Sequence, residues 1–129
     1  MYSFSVKSLN LLNNPKFSPS LRLLLMEAIK DSPIDFTVLE TVRTLEKQKE
    51  YYAKGTTKTL KSRHIPSTNK SGYSEAADIA PYPVDWQDLN RFRKLAEHIF
   101  KKAEQLNIPI TWGGTFKTLV DMPHYELKR

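Results

Sequence analysis

Between residues 85 and 109 the apolar side chains fall on one side of a single helix. Leu89, Phe92, Leu95, Ala96, Ile99, Phe100, Ala103 and Leu106 recur at helical spacing and form a broad stripe. A helix with one such face has to bury it against a second layer, and that requirement limits the fold more than any other feature of the chain. Asp85 is the expected N-cap, and Asn107 and Pro109 end the helix.

The second layer has to come from short segments. Asp35-Phe36-Thr37-Val38-Leu39-Glu40-Thr41-Val42 is rich in β-branched and aromatic residues and reads as a strand, with Arg43 at its end. Ala76-Ala77-Asp78-Ile79-Ala80 reads as a short buried strand stopped by Pro81. Ile110-Thr111-Trp112 and His124-Tyr125-Glu126-Leu127 are two more strand candidates, with Tyr125 expected to face the core. A second amphipathic helix is signalled by Ser18 as cap, Pro19 in the first turn, and Leu21, Leu24, Leu25, Ala28 and Ile29 on one face, ending near Lys30. Thr44 can cap a third helix that runs through Gln48 and Tyr51 to Lys54 and stops at Gly55. Residues 55–73 have loop composition, and a loop of that length in a compact domain is usually functional or mobile. The order of helix, strand, helix, loop, strand, helix, strand, strand predicts a small α+β domain with helices packed on an antiparallel sheet.

Composition narrows the chemistry. A chain of 129 residues has room for one domain, and so not for a catalytic domain plus a separate binding module. With no cysteine, disulfides, thiolate metal sites and thiol nucleophiles are excluded, so any metal must be held by histidine and carboxylate. The net charge of +6 suits an anionic partner, but the basic residues are scattered in pairs, and no nucleic-acid motif accompanies them. The N-terminus lacks a basic segment followed by an apolar run, and the longest aliphatic stretch, residues 23–26, is far too short to span a bilayer. Neither a signal peptide nor an integral membrane segment is expected. Gly113-Gly114 lacks dinucleotide or Walker spacing.

The three histidines can be weighed one by one. Helical phase puts His98 outside the apolar stripe, facing solvent or the edge. His64 lies in the polar loop as Ser62-Arg63-His64, and His124 opens the last strand. Asp78 is the more telling residue, because a carboxylate between Ala77 and Ile79 is costly to bury unless it is paired or bound to a cation. Two histidines and one aspartate would hold zinc and leave its fourth position open, as in a catalytic site. By spacing alone, such a set is more often made of unrelated surface or hydrogen-bonding residues. There is no H-E-x-x-H, which excludes a helical zincin.

The set Ser62-x-His64, Ala76-x-Asp78-x-Ala80-Pro81, Trp112-Gly113-Gly114 and Asp121-x-x-His124-x-Glu126-Leu127 resembles the zinc peptidases that include D-Ala-D-Ala carboxypeptidases and the L-alanyl-D-glutamate peptidase endolysins of bacteriophages. Asp35-Phe36-Thr37-Val38, Arg43-Thr44 and Gln48 extend the likeness, which covers the chain from about Ser8 onward and is closest to single-domain phage endolysins. The resemblance implies that His64, Asp78 and His124 ligate one Zn²⁺ and that Asp121 is the catalytic carboxylate, serving hydrolysis by a zinc-bound water. Strand parity requires Asp121 to sit in the turn before His124, for which Pro123 is suited. Glu126 shares the face of His124 and takes a hydrogen-bonding part behind the ligand. Arg43 matches the position that holds a substrate carbonyl or carboxylate; a salt bridge to Glu40 is its plainer alternative. Ser62 either donates to substrate or shapes its turn, and Trp112 packs the core or walls the pocket.

The resemblance further implies a peptidase of the peptidoglycan stem peptide, with the L-Ala-D-Glu bond as its target and residues 1–129 forming one peptidase domain without a separate cell-wall-binding domain. It would be a monomer that stays in the host cytoplasm until it is released to the wall. A D-Ala-D-Ala carboxypeptidase or dipeptidase would use the same site, and a non-catalytic basic binding module is the alternative of another class. One departure stands out. The family joins its first His to the Asp by a short His-x-x-Gly-x-Ala-x-Asp segment, whereas here residues 65–77 intervene and Ser74 takes the place of the Gly. The polar insertion is expected to protrude and to leave the ligand ends in place.

Overall fold

The computed structural model describes residues 1–129 except Lys58, Leu60 and Thr118. Lys58 and Leu60 belong to the expected loop 55–73, so that part of the expectation lies outside the described residues. The fold is a small α+β domain built from α1 (Val6–Leu12), α2 (Pro19–Ala28), β1 (Phe36–Glu40), α3 (Leu45–Ala53), β2 (Ala76–Pro81), α4 (Leu89–Leu106), β3 (Ile110–Trp112) and β4 (His124–Leu127). The sheet order is β1-β2-β4-β3, and every neighbouring pair is antiparallel. Among the described residues no helix is long and apolar enough to cross a membrane.

The stripe on α4 is buried along its centre, whereas Leu89 at its start and Phe100 at its margin, both expected in the stripe, are exposed. Phe92, Leu95, Ala96, Ile99 and Ala103 are buried, and α4 packs beside α2 on one face of the sheet. Ser18 caps α2 by accepting from Leu21 N at 3.3 Å, and Leu21, Leu24, Leu25 and Ala28 are buried. From the sheet, Phe36, Val38, Ala77, Ile79, Trp112 and Tyr125 complete this core. Asn107 ends α4 in the left-handed conformation, at φ 59°.

The cap of α4 differs from expectation. Asp88 accepts from Arg91 N, whereas Asp85 accepts from Gln87 N at 3.0 Å and shapes the turn before the helix. Two aspartates three residues apart could each cap, and the tight turn at residues 85–88 selects the second. Helix α1 has no counterpart in the sequence reading: it is seven residues long and its buried residues are one polar, Ser8, and one apolar, Leu12, too few to show a helical period. Ser8 is 1% exposed, and its Oγ accepts from Val38 N at 3.1 Å on the edge of β1.

The insertion protrudes at most of residues 67–73, as expected, but it is anchored from within. Asn69 is buried and donates to the carbonyls of Arg63 (2.9 Å) and Tyr73 (2.8 Å), folding residues 63–73 back on themselves. Ser74 is fully buried, and its hydroxyl donates to the Thr41 carbonyl at 2.5 Å. Ser67, Thr68 and residues 70–73 are exposed on either side of the buried Asn69.

Candidate metal centre

The polar face of the sheet gathers the three residues picked out by chemistry. Asp78 leaves the middle of β2, and the antiparallel register puts His124, the first residue of β4, directly opposite it. His64 arrives from the loop before the insertion. Its carbonyl accepts from Arg43 N at 3.0 Å, and its own N–H donates to Ser62 Oγ at 3.2 Å. His64 Nε2 lies 3.2 Å and His124 Nδ1 3.1 Å from the same oxygen, Asp78 Oδ1. One ligand atom from each residue falls within a 4.8 Å cluster. Zinc bonds of 2.0–2.2 Å place neighbouring tetrahedral ligands about 3.4 Å apart, close to the two measured edges.

Each imidazole is held from behind. His64 Nδ1 donates to the Thr41 carbonyl at 3.0 Å, the same oxygen that receives Ser74. His124 Nε2 donates to Glu126 Oε1 at 2.7 Å. These bonds fix which nitrogen is free, an arrangement typical of histidines that ligate metals. With its Nδ1 proton committed to Thr41, His64 turns a lone pair toward a carboxylate oxygen. Two acceptors in that relation need a proton or a cation between them. The donor set therefore fits a divalent metal ion, held by one oxygen and two nitrogens.

The electrostatics agree. Burial opposes ionisation of Asp78, but hydrogen bonds and charge from His124 and His64 outweigh it and hold the carboxyl well below the usual carboxylate range. Burial would lower His124, yet the bonds to Asp78 and Glu126 raise it to about 9. Without metal, His124 and Asp78 form an ion pair. Asp121 behaves differently. Burial and the Asp78 charge raise its carboxyl, against smaller opposing effects of His124, His64 and Arg43.

Asp121 lies in the turn before β4, with its carbonyl accepting from His124 N at 3.1 Å and its N–H donating to Gly113 O at 2.9 Å. A Cβ on Gly113 would stand 2.2 Å from the Asp121 carbonyl, so the chains can approach this closely only at glycine. Trp112 is buried, stacks on Tyr125 and donates to the Met122 carbonyl at 2.6 Å, so it braces the same turn from the core side. Phe116, Leu119 and Val120 join Asp121 and His124 around an open pocket of about 480 Å³.

Arg43 makes the salt bridge that sequence reasoning ranked second. Its Nη2 and Nε contact the two carboxylate oxygens of Glu40, Nη1 donates to Gln48 Oε1 at 2.8 Å, and the guanidinium covers the Tyr51 ring. Ser62 Oγ is 3.5 Å from Nη1 and accepts from His64 N, so it shapes the turn. Gln48 is fully buried and anchors α3 by donating to the Thr59 carbonyl at 2.8 Å. Glu40 was missed as part of the site. Simple alternation from Phe36 and Val38 would send it into the core, but a bulge between Val38 and Glu40 turns it to the polar face opposite Asp78, with Oε1 3.9 Å from His64 Nε2. A glutamate in phase with two core residues was the available signal. His98, expected near solvent, has a side chain only 10% exposed and ties α4 to the end of α2 through the Ala28 carbonyl at 2.8 Å and Asp31 at 3.4 Å. It lies in a different cluster from His64 and His124.

Three similarities bear on this geometry. Residues 1–128 match the family described as phage L-alanyl-D-glutamate peptidase. The L-alanyl-D-glutamate peptidase of Escherichia phage T5 is 32% identical over 114 residues, covering 86% of this chain and 80% of that protein. The crystal structure of the Serratia marcescens L-Ala D-Glu endopeptidase ChiX superposes with a TM-score of 0.82 at 28% identity, covering 98% of this chain and 90% of that one. With the match spanning nearly every residue, including the polar face of the sheet, the chain belongs to the phage L-alanyl-D-glutamate peptidase family.

Proposed function

We propose that this chain is a zinc-dependent endopeptidase that cuts the L-Ala-D-Glu bond in the stem peptide of bacterial peptidoglycan, and that it serves a phage or prophage as an endolysin. The observation that carries the reading is the convergence of His64 Nε2, Asp78 Oδ1 and His124 Nδ1, with both imidazoles held from behind by Thr41 and Glu126. When bound there, zinc supplies Lewis acidity toward the scissile carbonyl and lowers the pKa of water toward neutrality.

The remaining work falls to side chains. Asp121, whose carboxyl is raised by burial and by the Asp78 charge, takes a proton from the attacking water and passes it to the departing amine of D-Glu. Arg43, pre-oriented by Glu40 and Gln48, directs its guanidinium toward a stem-peptide carboxylate or the developing oxyanion. The open pocket beside Phe116, Leu119 and Val120 gives the stem an apolar wall. Residues 1–129 act as a monomeric peptidase domain, released from the host cytoplasm to the wall, and the net charge of +6 assists approach to anionic wall material.

The test is digestion of purified peptidoglycan followed by mass spectrometry of new amino termini, with zinc content measured on the same preparation. New N-terminal D-Glu and about one zinc per chain are expected. Release of D-Ala alone would reassign the bond to carboxypeptidase cleavage. Absence of zinc, or full activity in His64→Ala, would overturn the metallopeptidase reading.

A further inference from the structure

For His124 to offer Nδ1, its ring must not turn over. A half-turn about χ2 would put a carbon where Nδ1 faces Asp78, and that torsion is broad and roughly two-fold. The restraint is the bond from Nε2 to Glu126, and Glu126 is in turn restrained. Its Oε2 accepts from Arg63 Nη1 at 2.7 Å. Nη2 of the same guanidinium donates to Glu75 Oε1 at 2.7 Å and to the Leu127 carbonyl at 2.8 Å. The Arg63 main chain is fixed as well, its carbonyl accepting from Glu75 N and Asn69 Nδ2, both at 2.9 Å. These side chains are only 15–19% exposed, so solvent screens them far less than it does a surface pair. Arg63 also directly precedes His64. One residue is thus linked to both imidazoles, to one through the chain and to the other through a carboxylate.

We propose that Arg63 is the positioning residue of the metal centre: by clamping Glu126 against His124 Nε2 it holds the ring with Nδ1 toward the metal. The inference rests on His64, Asp78 and His124 being the ligand set. A planar fork suits the task, because its two ends engage Glu126 and Glu75 at once, whereas an ammonium is a single point of charge.

The test uses the full chain, ¹⁵N-labelled at histidine and loaded with ¹¹³Cd, together with zinc affinity from chelator competition. In the native protein, cadmium should couple to His64 Nε2 and to His124 Nδ1 alone. Arg63→Met should weaken zinc binding about 10- to 100-fold and broaden or split the His124 coupling. Arg63→Lys should fall between the two, and it carries both readouts if the methionine variant does not fold. In a Glu126→Gln background, replacing Arg63 should add no more than roughly twofold, since the arginine acts through that carboxylate. Glu75→Gln, which leaves the Arg63–Glu126 contact in place, should lower thermal stability and keep zinc affinity within roughly twofold. Native affinity with a sharp Nδ1 coupling in the Arg63 variants would overturn the proposal. So would Glu75→Gln weakening zinc as much as Arg63→Met, because Arg63 would then be only a brace between the insertion and β4. If the native chain couples to neither imidazole, it is the ligand assignment that fails instead.

Discussion

The two faces of the sheet are made by alternate residues of the same strands and obey different rules. On one, Ala77, Ile79, Val38 and Tyr125 meet α2 and α4 through contacts that have no preferred direction. On the other, Asp78, His124, Glu126 and Glu40 meet partners at defined atoms, each with an angle to satisfy. Apolar contact tolerates a change of shape and loses energy in proportion to lost area and volume. The polar face fails at single bonds, because one turned ring removes a donor entirely. Non-directional packing and directional polar contacts are thereby assigned to opposite sides of one β-sheet.

If the division is real, variants on the two faces should separate cleanly. The largest effect is expected from Asp121→Asn, which should reduce peptidoglycan hydrolysis by about 10²- to 10⁴-fold while zinc content and thermal stability stay native. Loss of zinc in that variant would place Asp121 among the ligands. On the opposite face, Leu95→Ala should cost about 2–5 kcal/mol in denaturant unfolding with zinc affinity unchanged in the folded protein. A parallel fall in affinity would show that the faces are coupled.

Proton linkage gives a subtler test. His124 rises from 6.5 to about 9 on folding without metal. Its contribution to stability is fully present below about 6.5 and is lost as pH climbs through about 9. Asp78 runs the other way: its depressed pKa contributes stability above the ordinary carboxylate range that is lost on acidification. On the proposed ligand set zinc would replace the His124 proton, so binding at pH 7 should release close to one proton per chain, measurable by calorimetry in buffers of different ionisation enthalpy. The alkaline decline in melting temperature should then vanish in the loaded protein. Zero net release would mean that His124 is already neutral. The smallest effect concerns the helix behind the core. Asp88→Ala should cost about 1 kcal/mol of stability and Asp85→Ala less, and the reverse order would restore Asp85 as the cap of α4.

The same contrast explains what could be read from the sequence. Periodicity announces a face that needs only apolar residues in phase, and so α2, α4 and the four strands are legible. Helix α1 is not, since it is only seven residues long and buries just Leu12 and the polar Ser8, the latter bonded to an edge strand thirty residues away in the chain. Asp78 was legible because a carboxylate among alanines and isoleucine demands a partner, and His64 and His124 because little else could provide one. Glu40 was hidden by a bulge, which alternation cannot anticipate. Arg63 was hidden because nothing local distinguishes it from any other polar-loop arginine. Its partners Glu75 and Glu126 are brought to it only by the pairing of β2 with β4. Ser74 in place of the family glycine shows a similar limit, for its buried hydroxyl acquires meaning only beside the Thr41 carbonyl.

That carbonyl leaves the two imidazoles unequally exposed to genetic drift. His64 leans on a main-chain oxygen, which every amino acid at position 41 except one that displaces the backbone would still provide. His124 leans on a side chain, so a single codon change at Glu126 can alter its support. Variation in metal preference among descendants of this chain should therefore accumulate around the second histidine, and the first should stay fixed even where residue 41 wanders.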